Sequence, residues 1–205
     1  MPESLSLVWL RRDLRLHDNA ALYHALRSGK PVLPVFIFDK TILDALDDKH
    51  DRRVTFLVQE IERLRDELAK LGSAIYVEYG KPEDVWKTLM TKYTIDAVYT
   101  NYDYEVYAKD RDKAIGDLLD KKGVSFHSFK DQTIFDRDEI LSKAKKTSYT
   151  VFTPYSKTWH AKLDDFYLKS YPTETYAQHY YQTKPLAVPF ADASAVEITR
   201  PLGAM

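Results

Sequence analysis

Five short apolar runs lie between Leu5 and Phe129, and the stretches separating them repeat their apolar positions every three or four residues. The runs are Leu5 to Leu10, Val32 to Asp39, Ala74 to Tyr79, Asp96 to Asn101 and Val124 to Phe129. Short apolar runs bounded by polar residues predict strands buried on both faces, as in a parallel sheet. Pro34 argues against a fully hydrogen-bonded central position at that residue, because proline has no N–H to give. Between the runs, Ala21, Leu22, Ala25 and Leu26 predict a helix from Asn19 to about Ser28, with Asp18 or Asn19 as its cap. Val54, Leu57, Val58, Ile61, Leu64, Leu68 and Leu71 predict a long helix from about Asp51 to Lys70. A third helix starts at Lys81-Pro82-Glu83-Asp84, with proline in its first turn and acids at its positive end, and runs to about Tyr93. A fourth spans about Val106 to Lys122. Gly29, Gly72 and Gly123 fall where helices should end. Thr41 to Lys49 reads as a loop with a short helical turn.

The alternation predicts an α/β fold: a five-stranded, parallel, doubly wound (Rossmann-like) sheet flanked by helices. Beyond Lys130 the pattern changes. Thr133-Ile134-Phe135 is a short apolar patch, and Asp138 to Ala144 fits one or two helical turns. Tyr149 to Tyr155 reads as extended. A helix from about Pro154 to Leu168 would bury Phe152, Tyr155 and Trp159. From residue 169 to 205 the chain is punctuated by Pro172, Pro185, Pro189 and Pro201, which predicts an irregular C-terminal linker arm. The expected division is therefore a domain over 1–168 and an arm over 169–205. No internal repeat is present.

The 205 residues give room for one domain with a sizeable core. Lys+Arg total 30 against Asp+Glu 31, a net charge of -1, so bulk charge does not announce a nucleic-acid binder. Cysteine is absent, which removes disulfides, thiol nucleophiles and thiolate metal sites, and suits a cytoplasmic protein. No apolar stretch approaches the ~20 residues of a membrane span. Met1 to Ser4 lack the start of a signal peptide. None of the 6 glycines forms G-x-G-x-x-G or a P-loop, so ordinary dinucleotide binding and Walker-type phosphoryl transfer are poorly supported. The 6 histidines are scattered without metal-ligand spacing. Lys143-Ala144-Lys145-Lys146 is the most basic run, and such runs are usually solvated faces.

Candidate chemistry gathers where strands should end. After the first strand comes Arg11-Arg12-Asp13-Leu14-Arg15-Leu16-His17-Asp18-Asn19. In open α/β sheets ligands bind outside the carboxyl ends of the strands. The same loop could equally be a set of salt bridges that pins the strand-to-helix turn. Asp39 ends the second strand on the same edge. Asn101 to Tyr107 leaves the fourth strand there too. Asp103 and Glu105 can accept hydrogen bonds from a heterocycle on which the tyrosines stack. A helix start dressed with acids explains those carboxylates as well.

Three motifs carry a resemblance. Val8 to Leu22, V-W-L-R-R-D-L-R-L-H-D-N-x-A-L, resembles the amino-terminal signature of the DNA photolyase and cryptochrome family. Asn101 to Asp112, N-Y-D-Y-E-x-Y-A-x-x-R-D, resembles its second signature. Val151 to Trp159 is similar to its V-F-T-P-[FY]-x-x-x-W, which ends the antenna domain. The resemblance covers about Leu5 to Leu168. It implies a domain that holds a light-harvesting chromophore, with Asp103 the leading residue and Phe36, Ile37, Phe38 and Asp39 walling the site. Arg11, Asn101 and Glu105 complete the rim. Arg52 and Arg53 are candidates for a phosphate or acidic tail, though a solvated helix start explains them as well. Folate-binding members carry Asn-Glu where this chain has Tyr107-Ala108, so the resemblance favours a deazaflavin or flavin over methenyltetrahydrofolate.

The family's catalytic FAD, its DNA contacts and its electron-passing tryptophans belong to a helical carboxy-terminal domain that would begin where this sequence stops. The resemblance thus implies that partner domain, DNA contact only through it, no membrane, and no dimer-repair activity in these residues alone. Phe152, Trp159 and the tail tyrosines should cover part of an inter-domain surface, of which some apolar area should lie bare or be paired in a dimer without the partner. Two other classes fit the same elements. One is a nucleotide-binding module of the electron-transfer-flavoprotein or universal-stress type, against which the glycine count argues. The other is a protein-interaction domain without a ligand.

Overall fold

The computed structural model describes residues 4–48, 51–136, 138–142 and 147–186. Strands β1 (Leu5–Leu10), β2 (Val32–Asp39), β3 (Tyr76–Gly80), β4 (Ile95–Asn101) and β5 (Ser125–Phe129) form one parallel sheet in the order β3-β2-β1-β4-β5. Helices α1 (Ala20–Arg27), α2 (Lys40–Leu43), α3 (Arg52–Lys70), α4 (Pro82–Lys92) and α5 (Val106–Asp120) alternate with them. The order reverses direction between β1 and β4, which is the switch point of a doubly wound sheet.

Alternation along the strands splits the core in two. Val8, Leu10, Phe36 and Phe38 join the apolar faces of α1 and α3, including Leu22, Leu26, Ile61, Leu64 and Leu68. Leu7, Trp9, Val35 and Ile37 join α4 and α5 on the other side through Trp86, Leu89, Ile115 and Leu119. Trp9 meets Trp86 edge-on, 5.5 Å between ring centroids. β1 and β2 are buried at every position, the cause of their unbroken apolar runs. Asn19 caps α1 by accepting from the Leu22 N–H. Gly29, Gly72 and Gly123 all have left-handed backbones, as helix-ending residues require.

Pro34 sits in register with Val8 inside the ladder. The Val32 carbonyl accepts from the Tyr181 N–H, on the side away from β1. Residues two apart face the same side, so Pro34 directs its missing donor there as well. Pairing with β3 begins only at Val35, so the proline costs no ladder bond.

Several expected boundaries move. β3 begins at Tyr76 rather than Ala74. Leu71 follows α3 and is exposed instead of completing its stripe. The expected helix from Pro154 to Leu168 is two, α6 (Phe152–Lys162) and α7 (Asp165–Leu168), and it begins where an extended segment was expected. Leu163 is extended, and the Asp164 side chain accepts from the Phe166 N–H to start a new turn. Neither helix has a fully buried residue. Phe152 is 76% exposed instead of packed inward, while Trp159 packs edge-on against Phe135. Asp138 and Glu139 form a turn and Ile140 to Ser142 are irregular rather than helical; residues 143–146, with the basic run, lie outside the described residues.

After Leu168, a 3-10 segment (Thr173–His179) leads to Tyr180, which is 4% exposed and belongs to the α1–α3 core. The arm is irregular but packed as far as it is described; Pro189 and Pro201 lie beyond.

Candidate functional site

The Arg11-to-Asn19 loop leaves β1 beside the switch point, and its three guanidiniums each reach a different element. Arg11 Nη1 donates to both Asp112 oxygens on α5 at 2.5 and 2.7 Å, and Arg11 Nη2 donates to the Asn101 carbonyl. Arg12 pairs with Asp103 at 3.0 Å and Glu105 at 2.6 Å, both just past β4. Arg15 pairs with Asp131 past β5 at 2.6 Å and also donates to the Asp18 carbonyl. The loop is therefore a salt-bridged turn, but its carboxylates come mostly from elsewhere. Only Asp13 serves it locally, accepting from the Arg11 N–H at 2.8 Å.

Asn101 is the clamp beneath. Its side chain donates to Asp13 at 2.6 Å and to Asn19 at 2.9 Å, and it accepts from the Ala21 N–H at 2.9 Å. Every polar atom of this buried amide is spent joining the end of β4 to the start of α1.

Above the clamp lies a cavity of about 170 Å³, half open to solvent. Arg11, Phe36, Ile37, Phe38, Asp39, Asp103 and Glu105 line it, so seven of the ten sequence candidates meet at one place. Arg52, Arg53 and Asn101 do not line it. Arg52 and Arg53 begin α3 on the exposed surface, and Arg53 closes on Asp51, the cap of its own helix. Trp9, Arg12, Ile42, Leu43, Leu57, Tyr107, Ala108 and Arg111 also line the cavity and were not among the candidates. Tyr107, Ala108 and Arg111 stand inside the second motif with a helical spacing that turns them to one side, a signal available in the sequence. Leu57 looked like any core position of α3, and nothing in the α2 segment marked Ile42 or Leu43.

The walls are mostly apolar and the polar groups converge. Tyr107 donates to Asp39 at 2.7 Å, and burial followed by that bond pushes its phenol pKa up, keeping it protonated. Asp39 also accepts from the Thr41 N–H, capping α2. Arg11 and Arg111 both lie over the Trp9 ring, at 5.1 and 4.8 Å from its centroid. Burial lowers the Arg11 pKa against the pull of Asp112. The Glu105 bond raises that of Arg12, whose side chain is 51% exposed over the cavity mouth. Arg11 Nε is buried without any hydrogen-bond partner, an orphan donor on a cavity residue. The described residues contain no cluster of three or more metal-ligating side chains, and no helix among them is long and apolar enough to cross a membrane.

These features define a class: a doubly wound α/β domain with a cleft at the switch point and no phosphate loop among the described residues. The chain belongs to the DNA photolyase family, whose model matches residues 6–176. It is 34% identical over 162 residues to the deoxyribodipyrimidine photo-lyase of Alkalihalophilus pseudofirmus, covering 77% of this chain and 33% of that protein. It is 35% identical over 136 residues to cryptochrome-2 of Gallus gallus, covering 66% of this chain and 23% of the relative. The archaeal photolyase of Sulfolobus tokodaii, solved with two FAD molecules and described as implying a novel light-harvesting cofactor, superposes with a TM-score of 0.62. That match has 26% identity over 85% of this chain and 41% of the other. The chain thus spans about a third of the length of its photolyase relatives. The family match does not favour the electron-transfer-flavoprotein and universal-stress reading, or the ligand-free one.

Proposed function

We propose that this domain is the light-harvesting, chromophore-binding unit of a photolyase or cryptochrome, and that the cavity between Arg11, Phe38, Asp103 and Tyr107 holds the chromophore. The observation that carries the proposal is the convergence of residues from two separate motifs on one apolar cleft. The residues fit a flat heterocycle. Phe36, Ile37, Phe38 and Leu57 offer apolar surface, and Tyr107 and Trp9 offer rings. Asp103 is fixed by the Glu105 N–H and by Arg12, so it presents its carboxylate in one orientation. The cavity is small for a whole ring system, and half-exposed Arg12, held by Asp103 and Glu105, is the side chain whose displacement would widen it. When bound, a deazaflavin or flavin would absorb near-ultraviolet or blue light and pass the excitation by dipolar coupling to a flavin elsewhere in the protein.

The choice of deazaflavin or flavin over methenyltetrahydrofolate rests on Tyr107-Ala108. Tyrosine and alanine offer no carboxylate to a pterin there, and the Tyr107 hydroxyl already donates to Asp39. We further propose that a helical FAD-binding domain is the partner, that DNA is met through it, and that these 205 residues alone repair no pyrimidine dimer. The bare apolar side chains of α6 and α7, Phe152, Phe166 and Leu168, support a docking face.

The test is an absorption spectrum of the protein expressed in a deazaflavin-producing host, followed by acid release of the pigment. Released deazaflavin or flavin is the expected result. A bare protein spectrum, with no uptake of added flavin, overturns the proposal.

A further inference from the structure

We propose that the outer edge of β5 is a self-association site: two copies pair their β5 strands antiparallel about His127, and the two sheets become one. The proposal is independent of the chromophore reading and turns on which backbone groups of the sheet are left free.

β5 is the last strand of the order β3-β2-β1-β4-β5 and has a neighbour, β4, on one side only. Asn101 is in register with Phe129, and the Tyr102 N–H donates to the Phe129 carbonyl. Phe129 therefore turns its backbone groups toward β4, and by the two-residue period His127 and Ser125 do the same. Phe126 and Ser128 turn theirs outward, where no strand and no backbone partner meets them among the described residues. An open row of this kind is a template for another strand, and folded proteins guard such rows with lysine, proline or a bulge. Ser125–Phe129 reads SFHSF, with no lysine, carboxylate or proline, and keeps its register with β4 throughout. The opposite outer strand, β3, carries Glu78.

The occupant is a second copy because the strand is complementary to itself. In an antiparallel pair centred on His127, Phe126 stands opposite Ser128 of the second copy, and those two residues exchange both backbone bonds. The same pairing sets Ser125 opposite Phe129. Each phenylalanine thus meets a serine rather than another ring, on both faces of the sheet. Phe126 lies on the α4–α5 side and Phe129 on the α1–α3 side, each half-buried, while Ser125, His127 and Ser128 are exposed. Lys130, the first cation after the strand, falls opposite Val124 and meets no like charge. The two His127 rings face each other across the twofold axis, each backed by Tyr99 at 4.8 Å between ring centroids. The contact uses the same patch on both copies, so it closes at a dimer.

The experiment is sedimentation equilibrium of the full chain at neutral pH, up to about 0.3 mM, enough to register a dissociation constant of that size. A concentration-dependent dimer is expected. Ser128→Pro removes an outward N–H and no bond to β4, so it should weaken the dimer by about tenfold or more while the unfolding midpoint stays close to the parent's. His127→Lys and His127→Glu each set like charge against like at the centre, and each variant alone should be monomeric. Mixed in equal amounts they should dimerise again, because this register alone puts position 127 opposite itself. Phe152→Asp with Phe166→Asp, on the face proposed for the helical partner domain, should leave the dimer intact. A chain that stays monomeric throughout, a dimer indifferent to Ser128→Pro, a Lys–Glu mixture that stays monomeric, or a dimer lost through Phe152 and Phe166 overturns the proposal. None of these outcomes touches the chromophore reading, which the pigment spectrum tests separately.

Discussion

The two ends of the sheet are built on opposite principles. At the carboxyl ends of β1, β2 and β4, charged side chains crowd together, satisfy one another across elements, and leave a hollow between them. At the starting end of β2 the C-terminal arm closes against the strand. Tyr180 lies beside Val32 in a parallel bridge, Tyr181 takes the Val32 carbonyl, and the Thr183 N–H reaches the Gly72 carbonyl. The first end holds its shape by ion pairs around empty space; the second holds it by apolar contact and backbone bonds. Removing a group from the first strands a buried charge, whereas removing one from the second opens a hole in the core.

The largest effect is expected at the charged end. Asp112→Ala leaves Arg11, whose side chain is 7% exposed, without its counter-ion. A loss of about 3–5 kcal/mol in urea-unfolding free energy should follow. If the variant is as stable as the parent, the charged rim is not held together by this pair. Next comes the sealed end. Tyr180→Ala removes a side chain that is 4% exposed in the α1–α3 core, and should cost about 3 kcal/mol by the same measurement. An unchanged unfolding midpoint would reduce the arm to a tether and erase the contrast between the two ends.

Arg12→Ala should cost about 1 kcal/mol or less, because the arginine side chain is half exposed and screened by water. It should nonetheless speed chromophore entry in stopped-flow binding, by removing the side chain over the mouth. Slower entry would mean that Arg12 guides the ligand rather than covers the cavity. The smallest effect concerns pH. Burial, then the neighbouring Arg27, lowers the His24 pKa below its usual 6.5, and its ring stacks on Phe129 at 4.4 Å. The folded state therefore binds fewer protons than the unfolded chain below that value. The His24 contribution is present above about pH 6.5 and is lost as the pH falls. Unfolding midpoints should drop from pH 7.5 to 5.5, and His24→Phe should flatten that slope. An identical slope in the variant assigns the effect to another group.

What the sequence by itself determined is the sheet and the edge of it where the candidate site lies. Strands buried on both faces must be apolar throughout, and helices half in contact with them must repeat every three or four residues. Five strands and four main helices were therefore legible, as were Asp39 and Asp103 at one edge. The breaks in that legibility have physical causes. Nothing local forbids one helix from Pro154 to Leu168; Asp164 splits it by capping a new turn. The aromatic side chains there look like core but have no sheet to pack against. Pro34 looks like a fault in a central strand until the late start of β3 is seen.

Only the tertiary structure decided which candidates do what. Asn101 and Asp103 stand two residues apart and were both candidates for the site, yet one is consumed by the α1 clamp and the other lines the cavity. Arg11 found its partner 101 residues away, on a helix whose angle no local pattern sets. Pattern along the chain reports what each residue must be buried in or kept from, because burial is a local demand. Which charge meets which depends on how layers pack, and that is settled only when the whole sheet has closed.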